Sequence, residues 1–528
     1  MGQQSASIHT GGPGQPGDLG RPVAAGAARW RASWWVVALV AALSTMALAP
    51  SPARAQLPSL GDGGALSIGE ERRLGERIAR ELFRDPTYVD DPILSDYVQS
   101  LWEPLLAAAR QRGDLAPELD NRFAWRILLS RDRSVNAFAV PGGWLGLHLG
   151  LLAITQTRDE VASVLAHELS HVTQRHISRM LAQDARQSPW LMGAMILGAI
   201  AASRSVDAAN ALVTGGQAVA VQNQLNFSRE MEREADRVGF GVLTQAGFEP
   251  MGFVTMFEKM QQASRLNDSG AFPYLRTHPL TTERISDLRA RLPVDAPGAA
   301  GGDLLHAWMA ARARVMSAGG VDAVQAMLRE AEGLSSEAPV ARQVTVLYAG
   351  TLAALRLREP ARAERLFGRL AALPKSDPRL TRQVRLLAAE VALAAGDATR
   401  AAAAVGMAMA GSPPARPETL WAAQASMLAG QPAEAASRLQ TWVSAHPSDA
   451  AAWQALAQAQ AGRGQALAAL RAEAEARVAV LDYGAAMDRL RAAQAQARRP
   501  GADHIEASII DARTRQVELL FREQAAER

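Results

Sequence analysis

The stretch Ser163–His176, SVLAHELSHVTQRH, sets three histidines and a glutamate in a run of otherwise helix-compatible residues. Thr157 and Glu160 stand just ahead of it at capping-box spacing, which places the stretch well inside a helix. Side chains four apart share a helix face, so His167 and His171 can offer two imidazole nitrogens to one ion. Glu168, beside the first histidine, can take a proton from water held at that ion. With nine histidines in 528 residues, a chance His-Glu-x-x-His is expected in roughly one such chain in a hundred. His176 lies five residues past His171, about 140° around a continuous helix, and is expected to be structural.

A catalytic zinc site needs a third protein ligand and an open position. The richest source is Ser228–Phe240, SREMEREADRVGF, where Glu230, Glu232 and Glu234 compete for the role. Glu232 and Asp236 are four apart and share a face, from which a ligand and a carboxylate that orients a ligating histidine can both come; Glu234 is turned away. A salt-bridged surface helix with Arg229, Arg233 and Arg237 is the competing reading of this stretch.

Upstream of the histidines, Phe123–Ser130, Val135–Val140 and Trp144–Leu149 are short apolar runs rich in β-branched and aromatic residues, the last two separated by Pro141-Gly142-Gly143. They predict a small antiparallel sheet. Ser67 and Glu70 form another capping box at the start of an amphipathic helix. Between the motifs, Trp190–Ala202 runs thirteen residues without a charge. That is too short to span a bilayer, and it reads as a core helix or as a lid that touches the membrane from one side.

The amino-terminal segment places Arg29 and Arg31 before an apolar run and ends in the small-x-small site Ala53-Arg54-Ala55. This is the pattern of a secretory signal occupying residues 1–55, followed by a linker over 56–66. The chain has no cysteine, so an exported protein of this size must be stabilised by burial alone, which suits a bacterial periplasm. A net charge of +3, spread over interspersed arginines and acids, leaves no nucleic-acid footprint.

Beyond residue 300 the composition shifts to alanine, leucine and arginine with helical periodicity. Gly396, Gly430 and Gly464 recur every 34 residues, as do Ala401, Ala435 and Ala469. That period, with glycine ending one helix, alanine where two helices cross and Pro447 closing a unit before Trp453, is the pattern of tetratricopeptide repeats. Leu355–Phe367 and Leu481–Leu490 look like degenerate flanking units. The expected organisation is a metalloprotease domain over 67–300 and a repeat domain over 301–528 whose stacked helix pairs bind protein or peptide.

His-Glu-Leu-Ser-His followed by Glu232-x-x-Ala-Asp236, with NAFAVPGG upstream and THPLTTERI downstream, resembles the zinc metalloproteases that include HtpX and the CAAX prenyl proteases. The resemblance implies an α+β zincin-like fold, one zinc ion held by His167, His171 and Glu232, and Glu168 as general base. It gives Asp236 the place of the acid behind the ligands, which serves as a proton donor. His278 matches a histidine that in periplasmic relatives closes over the zinc and holds the enzyme latent. Arg284 is a candidate for steadying the oxyanion, against a plain surface position on the following helix. Asn136, Ala137, Phe138 and Ala139 are candidates for a sheet edge on which an extended substrate adds a strand. The resemblance further implies misassembled outer-membrane β-barrel proteins as substrates and their assembly machinery as partner. A chaperone or adaptor with a structural or closed metal site is the alternative.

Overall fold

The computed structural model describes residues 66–183, 228–266, 272–293, 303–373, 378–409 and 414–526. The signal segment, most of the linker and the apolar run Trp190–Ala202 fall outside these. From Gly64 to Arg528 the chain forms one compact unit, and no helix of the described residues is long and apolar enough to cross a membrane.

The first part runs α1 (Ile68–Arg84), β1 (Tyr88–Val89), α2 (Pro92–Arg112), α3 (Pro117–Arg122), β2 (Arg126–Ser130), β3 (Ala137–Val140), β4 (Trp144–His148), α4 (Leu149–Ile154), α5 (Arg158–Thr173) and α6 (His176–Gln183). It continues with α7 (Arg229–Gln245), α8 (Met251–Leu266), α9 (Tyr274–Thr277) and α10 (Thr282–Ala290). The capping box at Ser67 and Glu70 forms as expected. At α5 it forms by half: Thr157 caps the Glu160 amide, while the Glu160 carboxylate turns to the Gln156 amide and Lys259.

The sheet has the order β1-β2-β4-β3. It is mixed, where antiparallel pairing was expected: β3–β4 and β1–β2 are antiparallel, but β2 and β4 run parallel. The reason is topological. The chain leaves β2, crosses to the far edge as β3, and the turn at Pro141–Gly143 brings β4 back between them. Among the described residues β3 pairs with β4 alone and is an edge strand. Its Ala137 and Ala139 are buried in the main core, and their small side chains let the strand lie close against α5.

Helix α5 is buried on all sides from Asp159 to Thr173, with α2, α7, α8 and β3 around it. Its apolar residues therefore show no one-sided pattern, as expected for a central helix.

The second part is a helical array: α11 (Leu304–Ser317), α12 (Val321–Glu332), α13 (Val340–Arg356), α14 (Pro360–Ala372), α15 (Pro378–Ala394), α16 (Ala398–Met409), α17 (Arg416–Leu428), α18 (Pro432–Ala445), α19 (Ala450–Gly462), α20 (Ala466–Ala479), α21 (Tyr483–Ala497) and α22 (His504–Ala526). From α12 onward each helix packs on its sequence neighbours, while α11 packs on α13. The recurring glycines each stand two residues before a second helix with φ near +70°, and the recurring alanines are buried. Arg358 and Leu481 occupy the same turn position at φ 60 and 62 without being glycine.

The array is docked onto the first part by a continuous apolar core that includes Trp308, Tyr348 and Trp421. It is also docked by three arginines that repeat one arrangement. Arg312 of α11 bridges Asp91 and Glu390, Arg382 of α15 bridges Asp96 and Glu418, and Arg416 of α17 bridges Asp90 and Asp449. Each guanidinium thus joins an acid at the start of α2 to an acid of a later array helix. Farther along, Arg126 of β2 donates to the Ala479 and Ser448 carbonyls and lies over the rings of Phe83 and Trp144.

Two stability outcomes follow from this packing. Arg312→Leu leaves Asp91 and Glu390 buried without their cation, and should cost about 3–5 kcal/mol in urea unfolding. Arg358→Gly removes a left-handed penalty at an exposed residue and should stabilise by about 1 kcal/mol; an unchanged midpoint would mean that this turn carries no strain.

Candidate metal centre

Three separate parts of the chain meet at one point. Helix α5 brings His167, Glu168 and His171, α7 brings Glu232 and Asp236, and the residue that ends α9 is His278. The three histidines, Glu168 and Glu232 are all at most 2% exposed. Helix α7 can come this near because Gly239 lies against α5: a Cβ there would stand 3.0 Å from the Ala166 carbonyl oxygen.

His167 Nε2 is 3.0 Å from His171 Nε2 and 3.5 Å from Glu232 Oε2, and His171 Nε2 is 3.5 Å from Glu232 Oε1. His278 Nδ1 lies 3.3 Å from His167 Nε2 and 3.0 Å from Glu232 Oε1. One donor atom from each of these four residues falls within 4.8 Å of all the others. A tetrahedral zinc with bonds of about 2.0–2.1 Å sets its donors about 3.3 Å apart, so the set fits such an ion.

The surroundings fit it as well. His167 Nδ1 lies 3.0 Å from Asp236 Oδ1, and Asp236 accepts a two-pronged pair of hydrogen bonds from Arg284 at 2.7 and 2.8 Å. A carboxylate on Nδ1 leaves the Nε2 lone pair of His167 facing the cluster. Burial disfavours a charged His167, but Asp236 and Glu232 outweigh it and raise its pKa to about 9. Burial would also raise Glu232, yet His278 and His167 hold it well below the usual carboxylate range. Burial, with the charge of His167 next, pushes His171 well down. The cluster draws positive charge to its centre.

Glu168 is not among these donors. Its carboxylate is buried, and His278 Nε2 lies 3.5 Å from one of its oxygens. The His278 ring therefore touches ligands through one nitrogen and Glu168 through the other. Tyr274 stacks on that ring with centroids 4.5 Å apart. Arg284, expected as an oxyanion donor or a surface residue, is buried, with its donors on Asp236, Glu232 and the Pro279 carbonyl.

Asn136 sits just ahead of β3, where its carbonyl accepts from the His148 amide; Ala137, Phe138 and Ala139 lie within the strand. Sequence reasoning placed His176 away from His171 on a continuous helix. In fact α5 ends at Thr173 and Arg175 is left-handed at φ 53, which swings His176 back to within 3.0 Å of His171 Nδ1. No glycine or proline announced that break. Glu234, read as turned away from the ligands, reaches His176 Nε2 at 3.1 Å.

Comparison with known proteins agrees with this geometry. Residues 96–292 match the model of Peptidase family M48. A beta-barrel assembly-enhancing protease of Escherichia coli K12 is 34% identical over 264 residues, 48% of this chain and 51% of that protein. One from Yersinia pestis is 31% identical over 429 residues, covering 80% of this chain and 84% of its own length. The mitochondrial metalloendopeptidase OMA1 of Saccharomyces cerevisiae is 28% identical over 205 residues, 38% of this chain and 56% of that protein. The chain thus spans about half the length of the Escherichia coli relative.

Gly239→Ala tests whether the helix spacing sets the site. The added methyl should push α7 off α5, cost about 1–3 kcal/mol and weaken zinc binding about tenfold. Chelator competition and thermal melts measure the two effects, and undiminished affinity would mean that Gly239 does not set the donor positions.

Proposed function

Because the chain belongs to peptidase family M48 and, within it, to the beta-barrel assembly-enhancing proteases, we propose that it is a zinc-dependent endopeptidase of the Gram-negative periplasm. It acts on misfolded or misassembled outer-membrane β-barrel proteins and assists their assembly. The observation that carries this reading is the convergence of His167, His171 and Glu232 beside the buried carboxylate of Glu168.

His167, His171 and Glu232 hold one zinc ion per subunit in this reading. When bound, the ion supplies Lewis acidity, polarising the scissile carbonyl and making the attacking water more acidic. Glu168 takes the proton from that water and passes it to the leaving amine. Burial raises the Glu168 carboxyl above the usual carboxylate range, against the pull of His278 and His167, and a raised proton affinity suits that double task near neutral pH. Asp236 acts by orienting His167. Arg284 acts by holding Asp236 and Glu232 in place, since its donors are already committed to them.

The edge strand β3 receives the substrate as an added strand, with Asn136 to Ala139 giving backbone bonds that ask little of its sequence. His278 is the latch: its ring sits at once against the ligands and the base. Its segment is anchored at the same edge, where the Tyr274 amide donates to the Val135 carbonyl just ahead of β3, so an incoming strand and the latch contend for one place.

The division into a removed signal (1–55), linker (56–66), protease domain (67–300) and tetratricopeptide domain (301–528) belongs to the same reading. The array recruits substrate or the assembly machinery. Its Arg312, Arg382 and Arg416 are engaged by the chain's own α2, so partners bind elsewhere on it or displace that helix. The contacts of His278 also favour a second reading, a chaperone or adaptor with a closed site.

Glu168→Gln separates the two. It should retain zinc while slowing cleavage of an unfolded periplasmic substrate about a thousandfold, and undiminished cleavage would sink the mechanism. His278→Ala should raise the basal rate; a fall would assign His278 a catalytic part instead.

A further inference from the structure

A histidine ligand binds a cation through one ring nitrogen only if that nitrogen carries no proton, and the partner of the other nitrogen decides this. For His167 the partner is a carboxylate, Asp236. For His171 it is another histidine: His171 Nδ1 lies 3.0 Å from His176 Nδ1, and His176 Nε2 lies 3.1 Å from Glu234 Oε2. His176 is fully buried, and Glu234 is also held by Arg179 at 2.8 Å.

Only one placement of protons satisfies this row with neutral rings. An ionised carboxylate can only accept, so His176 carries its proton on Nε2 and donates to Glu234. Its Nδ1 is then a bare acceptor, and the proton shared between the two Nδ1 atoms must belong to His171. That leaves the lone pair of His171 Nε2 facing His167 Nε2 and Glu232. The reverse placement, with the proton on His176 Nδ1, would set two bare acceptors, His176 Nε2 and the Glu234 carboxylate, against each other at 3.1 Å. It would also put a proton on His171 Nε2, inside the cluster.

The break after α5 builds this row. Arg175 takes its left-handed conformation with its guanidinium on buried Glu71 at 2.9 Å and on the Leu66 carbonyl, and the chain restarts as α6 with His176 as its first residue.

We propose that His176 and Glu234 are positioning residues that fix His171 as the Nδ1-protonated tautomer and so keep its Nε2 available to the metal. The idea rests on the zinc reading of the centre. It makes the two histidine ligands differ in kind, one oriented by a carboxylate directly and the other through an intervening imidazole.

The test uses the full-length protein and zinc itself, with chelator competition as readout and thermal melting of the metal-free form as control. His176→Phe fills the space but cannot accept a proton, and should weaken zinc binding 10–100-fold. Glu234→Ala, a change at a partly exposed residue that spares the core, should weaken it about tenfold. Glu234→Gln keeps an oxygen that accepts from His176 and should restore most of that loss. A purely structural role would move the melting temperature in step with affinity and would show no difference between Gln and Ala at 234. Should His176→Phe fail to fold, the Ala and Gln pair at 234 decides. Equal zinc affinity in wild type, His176→Phe and Glu234→Ala would overturn the relay while leaving the metalloprotease reading intact; a wild-type protein that binds no zinc would remove that reading, and the relay with it.

Discussion

Two imidazole nitrogens facing each other at 3.0 Å in a fully buried place are the constraint on which the rest of the centre depends. Their outer nitrogens are occupied by Asp236 and His176, so the inner ones present lone pairs that repel unless positive charge lies between them. The chain supplies a setting that favours such charge: Glu232 against both rings, and Asp236 behind one of them. The raised pKa of His167 is one expression of this setting, and a donor set fit for a divalent cation is the other. The neighbouring elements are arranged accordingly. Helix α5 gives up an exposed face altogether, α7 approaches over a glycine, and α10 sends a buried arginine to hold both carboxylates.

Much of this was legible in the sequence because it rests on local spacing. The i, i+4 relation of His167 and His171 needs only a helix, and the same relation on α7 paired Glu232 with Asp236 and turned Glu234 away, while the choice of Glu232 as ligand came from the resemblance. What was not legible depended on places where the chain departs from regular geometry. His176 looked remote because five residues along an unbroken helix point elsewhere; a left-handed arginine, which no residue type signals, brought it back. Glu234 was set aside as a ligand by the same reasoning, yet it meets a side chain on another helix. The sheet was misread in one pairing because strand order depends on how β3 and β4 fold back, and a tight turn fixes that hairpin without saying on which side of β2 it docks.

In the helical half, the glycines that recur every 34 positions each supply a left-handed turn residue. The docking of this half was not legible in the sequence. The acids at 90, 91 and 96 and the arginines at 312, 382 and 416 look in sequence like any solvated charges. Their meaning comes from the stacking of array helices against the start of α2 and the residues just ahead of it, which brings each guanidinium between two carboxylates. Bidentate pairs of this kind are directional, so besides their energy they set the register between the array and α2. Since α2 also packs on α5, the array's position and the metal centre are joined through a single helix.

That connection bears on how a closed site could open. His278 meets Glu232 through Nδ1 and Glu168 through Nε2, so a single displacement of its short segment frees both. The segment is a four-residue helix with Tyr274 buried in the core and stacked on the ring, a backbone bond of 3.4 Å to Val135, and the Pro279 carbonyl held by Arg284. Asp236, Arg284 and Glu232 are tied to one another by short charge-assisted bonds on two longer helices. His278 is the one of the four donors that comes from neither α5 nor α7, so its displacement leaves the other three where they are. If His278 leaves the cluster, the three remaining donors stay on α5 and α7, and the cost of the movement falls on Tyr274, which is buried in the main core and stacked on the ring.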